Sequence, residues 1–527
     1  MVVMGLAALG GGSAAAAVRA PEPTVRLPAQ HAARAAAATT TGWIVGARPR
    51  SATGRIAARL GARALRLPGA YLVDAGRARA LAAALRRRGL LVFAEPNVAR
   101  HALSSFDGQT DLWARAAVVA PGLVPPSPTV PIGVVDDLVD ATHPDLAGHV
   151  ANANPAGGTI VGGPHGTMVA SAAAGSANGF GVTGIFPGAP VVSYSVPEQF
   201  GCAESSDGIL ALAKLRVPVI NVSYGSSQAC YAEYAAIAHA YAGDSLVVAA
   251  GGNEFQEGNP VSYPAAWPHV VSVAALDQAR APSYFSNENT AIDVAAPGEG
   301  IPLGIPAAFD TDGVVDGITV ASGTSFSAPI VAGAAAWIRA ARPGVGNGQI
   351  AELLRRTADD IAPPGWDRAS GFGQINLAQA LAAPLPRVDP LEPNDSIAEV
   401  DGTLFGAHDP SVWQGRGRFS LSASADNVED PIDVYRLRVP ARARFNVLVH
   451  PNFGDPDLAV YRRAARSLDD TRHIVAHSER GAGRTDAVRL VNDSRATITV
   501  YIVVYVSDEA SSLDASYRLE FQRKRRR

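Results

Sequence analysis

The sequence predicts an α/β protein whose main body is a doubly wound, mostly parallel sheet, with a small α+β unit before it and a β-sandwich after it. Three observations predict this. Between about 130 and 380, apolar runs of strand length alternate with Ala-rich stretches of helical length. Those runs are continuously apolar, as parallel strands covered on both faces must be. Beyond the Pro-rich stretch "APLPRVDPLEPND", apolar and polar residues alternate instead, which is the pattern of strands with one buried face.

The elements follow in order. The opening "MVVMGLAALGGGSAAAAVRA", residues 1–20, is apolar, uncharged until Arg19 and ends in small residues. It reads as a secretory signal that lacks the usual basic start. No later run reaches the ~18 apolar residues of a membrane span, so a soluble exported protein is expected. The α+β unit, 42–103, has strand candidates "GWIVGA", "GAYLVDAG" and "LLVFAEPN" around helix candidates "SATGRIAARLGARAL" and "RARALAAALRRRG". It holds no convincing catalytic cluster. The α/β body is assigned to 104–382, a linker to 383–395 and the sandwich to 396–522. In "DVYRLRV", Tyr435, Leu437 and Val439 share one face and Arg436 and Arg438 the other. The closing "RKRRR" reads as a solvated tail.

A chain of 527 residues needs more than one core. A net charge of −3, with 18% charged residues, gives no basic field for nucleic acid. Two cysteines, Cys202 and Cys230, exclude a metal centre built on clustered thiolates. They can pair if the chain is exported and stay free if it is cytosolic.

Three apolar runs end in polar residues: "PIGVVDD", "PVINVSYG" and "SLVVAAGGN". In such sheets ligands bind beyond the carboxyl ends of the strands, which places Asp136, Ser223 and Asn253 there. Further along, "HGTMVAS" puts His165 before an Ala-rich helix and "SGTSFSAP" puts Ser325 at the mouth of another. Taken singly, each motif has a plain structural reading: a turn acid, a helix start, a cap. Together they form a chemical set. A hydroxyl is a poor nucleophile at neutral pH, an imidazole can take its proton and later return it to the leaving amine, and a buried carboxylate holds the required tautomer. The oxyanion that results needs preformed donors, which the Asn253 amide and the Ser325 backbone N–H can supply. Of eleven histidines, only His165 is given a catalytic part; His143 in "HPDL" is expected to fix a loop.

Asp136, His165, Asn253 and Ser325 in this order resemble the subtilisin-like serine peptidase family, over about half of the chain. The resemblance implies a triad of Asp136, His165 and Ser325, with Asn253 at the oxyanion. It implies a substrate-backbone strand at Ser223, Tyr224 and Gly225, and a first specificity pocket walled by "AAGGN" and by "SYPAA" around Ala265. No charge is evident in those walls, so the pocket should favour large apolar side chains. The α+β unit resembles the family's propeptide, an intramolecular chaperone and inhibitor. Self-cleavage is expected after Leu103, with Ser104 beginning the mature chain. The C-terminal unit, with "EPNDS", "DPIDVYRLRV" and "GDPDLAVY", resembles the bacterial pre-peptidase C-terminal domain. No cofactor is needed for the chemistry. Asp145 and Asn178 fall where many members hold structural Ca²⁺, and ordinary polar loop residues are as good a reading. Export would allow a Cys202–Cys230 disulfide closing a surface loop. Protein or peptide substrates, the chain's own propeptide as inhibitor and a monomeric state are expected. The competing class is a non-catalytic, subtilisin-shaped binding or adhesion protein whose sandwich is the working part; the complete triad argues against it. The sequence departs from the family at two places. Asp137 and Leu138 stand where Ser or Thr and then Gly usually follow the catalytic Asp, and Met168 replaces a second helical His.

Overall fold

A computed structural model describes residues 40–102, 105–106, 113–154, 162–311, 314, 316–361, 363–405, 412–413, 419–426, 430–506 and 514–523. The export-signal assignment, 1–20, and both residues of the expected cut, Leu103 and Ser104, lie outside the described residues.

Seven parallel strands form the central sheet. In spatial order they are Val294–Pro297, Val270–Leu276, Leu246–Ala250, Val219–Val222, Ile132–Asp136, Val191–Ser195 and Val150–Asn152. The chain starts this sheet at Ile132–Asp136, lays down the edge strand Val150–Asn152 and then Val191–Ser195 between the two, and crosses to build outward on the other side. Ligand crevices form at such a reversal, beyond the carboxyl ends of the strands. The inner strands are buried along their whole length because helices cover both faces. Ile132, Val134, Val219 and Val248 pack with the helices His165–Ala174 and Thr324–Ala341. Their neighbours Val135, Ile220, Val222 and Val247 pack on the other side with Cys202–Lys214 and Tyr231–Ala242. The alternation is the strand's two-residue period.

The front unit is an antiparallel sheet with two helices. Strands Thr40–Ala47, Ala70–Val73 and Leu91–Ala102 pair in the register Ile44↔Leu72 and Ile44↔Glu95. Its own core, including Val45, Ala57, Leu81 and Leu85, lies under the helices Ser51–Arg59 and Ala75–Arg86. The opposite face packs on the central body: Ile44 is buried in the core cluster formed around Cys202–Lys214 and Tyr231–Ala242, with Leu72 and Phe93, partly buried, packed against it. Phe93 meets Tyr231 with ring centroids 4.8 Å apart.

The C-terminal unit is a sandwich of two four-stranded antiparallel sheets. One runs Phe419–Asp426, Asp514–Arg523, Arg444–Phe453, Asp486–Val491, and the other Ile432–Val439, Ile498–Val506, Pro456–Arg462, Ile474–Ser478. As the alternation in "DVYRLRV" predicts, Tyr435, Leu437 and Val439 are buried while Arg438 is exposed.

The segment read as a linker is not a loose tether along its whole length. Its end, with Asn394 and Asp395, is buried, and His269 of the central body stands 2.5 Å from Asp395. Tyr234 donates to Glu399 at 2.6 Å. Among the described residues no helix is long and apolar enough to cross a membrane.

Candidate active site

Asp136 closes the central strand, and His165 opens the next buried helix. Their side chains meet at 2.8 Å, Nδ1–H of His165 donating to Oδ1 of Asp136. This fixes the tautomer, leaving Nε2 as the proton acceptor. Burial by itself would lower the imidazole's pKa. The charge and hydrogen bond of Asp136, with the charge of Asp137, outweigh it, so His165 is raised above the ordinary histidine value. The Phe326 ring lies 5.6 Å from the imidazole.

Ser325 is buried in the first turn of the helix Thr324–Ala341. First-turn N–H groups lack intrahelical partners and mark the helix's positive end. Its hydroxyl donates to the carbonyl of Ser223 at 2.9 Å, while the Ser223 hydroxyl donates to the carbonyl of Ser325 at 2.7 Å. His165 Nε2 has no hydrogen-bond partner among the described residues. The serine hydroxyl thus rests on the Ser223 backbone, and in sites of this kind hydrogen bonds commonly tighten only once a ligand is bound.

Asn253 follows the strand Leu246–Ala250. Its carbonyl oxygen accepts from the backbone N–H of Thr324 at 2.9 Å and from the Thr324 hydroxyl at 2.8 Å. A backbone N–H can only donate, so this contact assigns the amide's orientation and makes its NH₂ the end available to a ligand. Thr324, to which the sequence reading gave no role, therefore aims Asn253.

Ser223 stands between the strand Val219–Val222 and the strand Tyr224–Gly225. The latter pairs antiparallel with the end of Leu91–Ala102, in the register Tyr224↔Ala102 and Gly225↔His101. One residue further back, Ala99 and Arg100 pair with Gly201 and Phe200. Past the undescribed 103–104, Ser105–Phe106 pairs with Ala321–Ser322. The Tyr224 side chain is core, hydrogen-bonded to Ser205 at 2.9 Å and edge-on to Phe200. Ala265 is buried in the same cluster as Trp267 and Val270.

The front unit also caps two helices of the central body, a feature the sequence reading missed. Asn97 accepts the N–H of Ala203 at 2.8 Å, and Glu95 those of Tyr231 and Ala232 at 2.8 and 2.9 Å. The signal was the polar "EPN" within an apolar strand.

Cys202 and Cys230 form a disulfide. It is not on a surface loop as expected: both residues are at most 1% exposed. It ties the starts of the two helices that the front unit caps.

Asp145 is buried and accepts the Val182 N–H at 2.8 Å, while its Oδ1 has no hydrogen-bond partner among the described residues. Asn178 donates to the Pro144 carbonyl at 3.1 Å, and its side-chain oxygen accepts from Phe180 N–H. A buried carboxylate beside the Asn178 amide suits a hard cation. His143 holds the loop as expected, Nε2–H donating to Gly317 at 2.9 Å. Where body and sandwich meet, two further groups have ligand atoms within 4.8 Å of one another: His269, Glu392 and Asp395, and Asp389, Glu392 and Asp433. These too could hold a divalent ion. Their acids were visible in "DPLEPND" and "DPID", but not their convergence.

A parallel doubly wound sheet carrying acid, imidazole, amide and serine in this order is the arrangement of subtilisin-like serine peptidases. The chain belongs to that family: the Subtilase family model matches residues 127–373, and the chain is 33% identical over 266 residues to subtilisin of Bacillus pumilus, covering 90% of that relative. It is 32% identical over 286 residues to fervidolysin of Fervidobacterium pennivorans and 26% over 451 residues to the cell wall-associated protease of Bacillus subtilis. These alignments span 48% and 74% of the chain but only 41% and 49% of those two relatives. The crystal structure of fervidolysin, titled a keratinolytic enzyme related to subtilisin, superposes with a TM-score of 0.58 at 18% identity, covering 92% of both chains. That likeness concerns the fold.

Proposed function

We propose that this chain is the self-processing precursor of an exported serine endopeptidase. The observation that carries the reading is the strand pairing of the chain on either side of the site. The end of Leu91–Ala102 lies as a strand on Tyr224–Gly225, and Ser105–Phe106 lies as a strand on Ala321–Ser322. Both pairings border Ser325: the first adjoins Ser223, whose carbonyl accepts from the Ser325 hydroxyl, and the second ends two residues before the helix that carries Ser325. An extended peptide added by backbone hydrogen bonds is read through its side-chain pockets.

In the proposed reaction the Ser325 hydroxyl turns from the Ser223 carbonyl toward His165. Nε2 takes its proton as Oγ attacks the scissile carbonyl. The tetrahedral oxyanion is met by the Asn253 NH₂ and the N–H of Ser325. Asp136 keeps the imidazole oriented and stabilises its charged form. His165 then passes the proton to the leaving amine, the C–N bond breaks, and water repeats the sequence to release the acid. In the first turnover the substrate is the chain itself, cut after Leu103 to free Ser104, with a large apolar residue in the pocket walled near Ala265. Asp145 and Asn178 would support bound Ca²⁺ as structure, with no part in the chemistry.

The test is incubation with a serine-directed phosphonate, followed by mass mapping. Label on Ser325 supports the reading; an unlabelled chain, or label elsewhere, removes it.

A further inference from the structure

We propose that Asp137 is a positioning residue for His165: its carboxylate holds the start of the helix that carries the imidazole, and Gly163 makes room for it. The inference rests on the serine-peptidase reading and adds a residue to it.

Asp137 is the first residue beyond the strand Ile132–Asp136, so the strict alternation of a strand no longer directs it away from Asp136. It is 7% exposed. Its Oδ1 accepts the backbone N–H of Gly166 at 2.5 Å, and its Oδ2 that of His165 at 3.2 Å. The residue before this helix is Pro164, which offers no side-chain acceptor. A helix start without acceptors leaves buried N–H groups unsatisfied. Asp137 supplies both acceptors from outside the helix and puts a negative charge at its positive end. Two adjacent carboxylates thus grip one histidine, Asp136 by the ring and Asp137 by the backbone.

The space for this grip is cut by glycines. A Cβ on Gly163 would stand 2.7 Å from Asp137 Oδ2, and one on Gly162 would stand 2.5 Å from the Leu138 nitrogen. A Cβ on Gly166 would meet the Asp137 carbonyl at 2.6 Å and its Oδ1 at 2.9 Å. The bulkier Asp137–Leu138 pair, found where the family usually has Ser or Thr and Gly, is accommodated by the chain that returns to His165.

Among the described residues, the ionisable groups acting on His165 are Asp136 and Asp137, and both raise its pKa. The serine helix faces it with Phe326, which carries no charge. Asp137 itself is raised to about 7, first by burial and then by Asp136, against the pull of His165 and the two N–H groups.

The experiment compares Asp137→Asn and Gly163→Ala with the parent on a soluble peptide substrate across pH, with thermal unfolding to establish folding. For Asp137→Asn the expected result is a kcat about tenfold lower, KM nearly unchanged and the acid limb moved to lower pH, because a charge that favours the imidazolium is gone. Gly163→Ala displaces the carboxylate but keeps its charge. It should lower kcat similarly with the limb near its parental position. Histidine-labelled Ser325→Ala protein provides a readout independent of turnover: the His165 resonance should titrate at lower pH when Asp137→Asn is added. Unchanged kcat and limb in folded Asp137→Asn, or a lowered kcat with an unmoved limb and titration, would overturn the proposal. A parent that hydrolyses nothing while His165 still responds to Asp137→Asn would instead count against the peptidase reading.

Discussion

The carboxylate of Glu95 accepts the backbone N–H of Tyr231 at 2.8 Å, joining the last strand of the front unit to the first turn of a helix in the central body. A second N–H, from Ala232, shares the carboxylate, and Asn97 does the same for Ala203 on the neighbouring helix. The front sheet is therefore held by apolar packing around Phe93 and by two helix ends that attract oxygen.

The first prediction follows from that contact. Replacing a helix-capping acceptor costs about 1 kcal/mol, more when buried N–H groups are stranded. Glu95→Ala should weaken docking of the front unit by about tenfold and hasten appearance of active enzyme from the full-length precursor. A time course of activity and of front-unit loss reads it. An unaltered course would mean that apolar packing alone decides docking.

Catalysis gives the second. Ser325→Ala should lower turnover by about 10⁶ and leave the front unit attached, using subtilisin as the guide. Asn253→Ala should cost about 10²–10³ in kcat with little change in KM, because the oxyanion exists only along the reaction path. Steady-state kinetics decide both, and a Ser325→Ala chain that cuts peptides at the parental rate would end the assignment.

The junction between body and sandwich should weaken as pH rises toward 8. Burial first, and neighbouring acids after it, raise Asp389 to about 8 and Glu399 to about 7; burial also brings Asp433 to about 6, though three side chains donate to it. These folded values lie above those of an unfolded chain. The stability they contribute is therefore complete below about pH 4 and is lost as pH rises through about 6 to 8. In metal-free buffer the melting temperature should fall across that window, and Asp389→Asn, neutral at every pH, should flatten the trend. A melting temperature that rises from pH 5 to 8 would contradict it.

The disulfide yields the fourth. Closing a loop between Cys202 and Cys230 should stabilise by about 2–4 kcal/mol, and the buried sulfurs should resist reductant while the protein is folded. Denatured, unreduced protein should take up no thiol label. The double Cys→Ser variant should unfold at lower denaturant concentration.

Much of this molecule could be read along the chain. Residues Asp136, His165, Asn253 and Ser325 stand out as a candidate set because hydroxyl chemistry needs those side chains, and because strand ends and helix starts are where a parallel sheet collects them. The continuous apolar runs gave the buried strands for the same reason: a strand covered on both sides has no polar face to show. The alternation in "DVYRLRV" marked a half-covered one.

What only the tertiary structure decided concerns groups that meet from distant parts of the chain. Nothing in "VVDDL" says whether Asp137 turns toward His165, since its direction depends on a helix that returns later and on glycines that clear its path. Glu95 and Asn97 look like ordinary strand-edge polar residues until two helices present their N–H groups to them. Asp389, Glu392, Asp395, Asp430 and Asp433 are scattered along the linker and around the start of the strand Ile432–Val439, and their crowding arises only when the linker folds against that strand beside His269. Local sequence determines which residue types can bury, bend or react. Burial in three dimensions determines which charges must share one space, because electrostatic cost depends on neighbours and on the water they exclude, not on position along the chain.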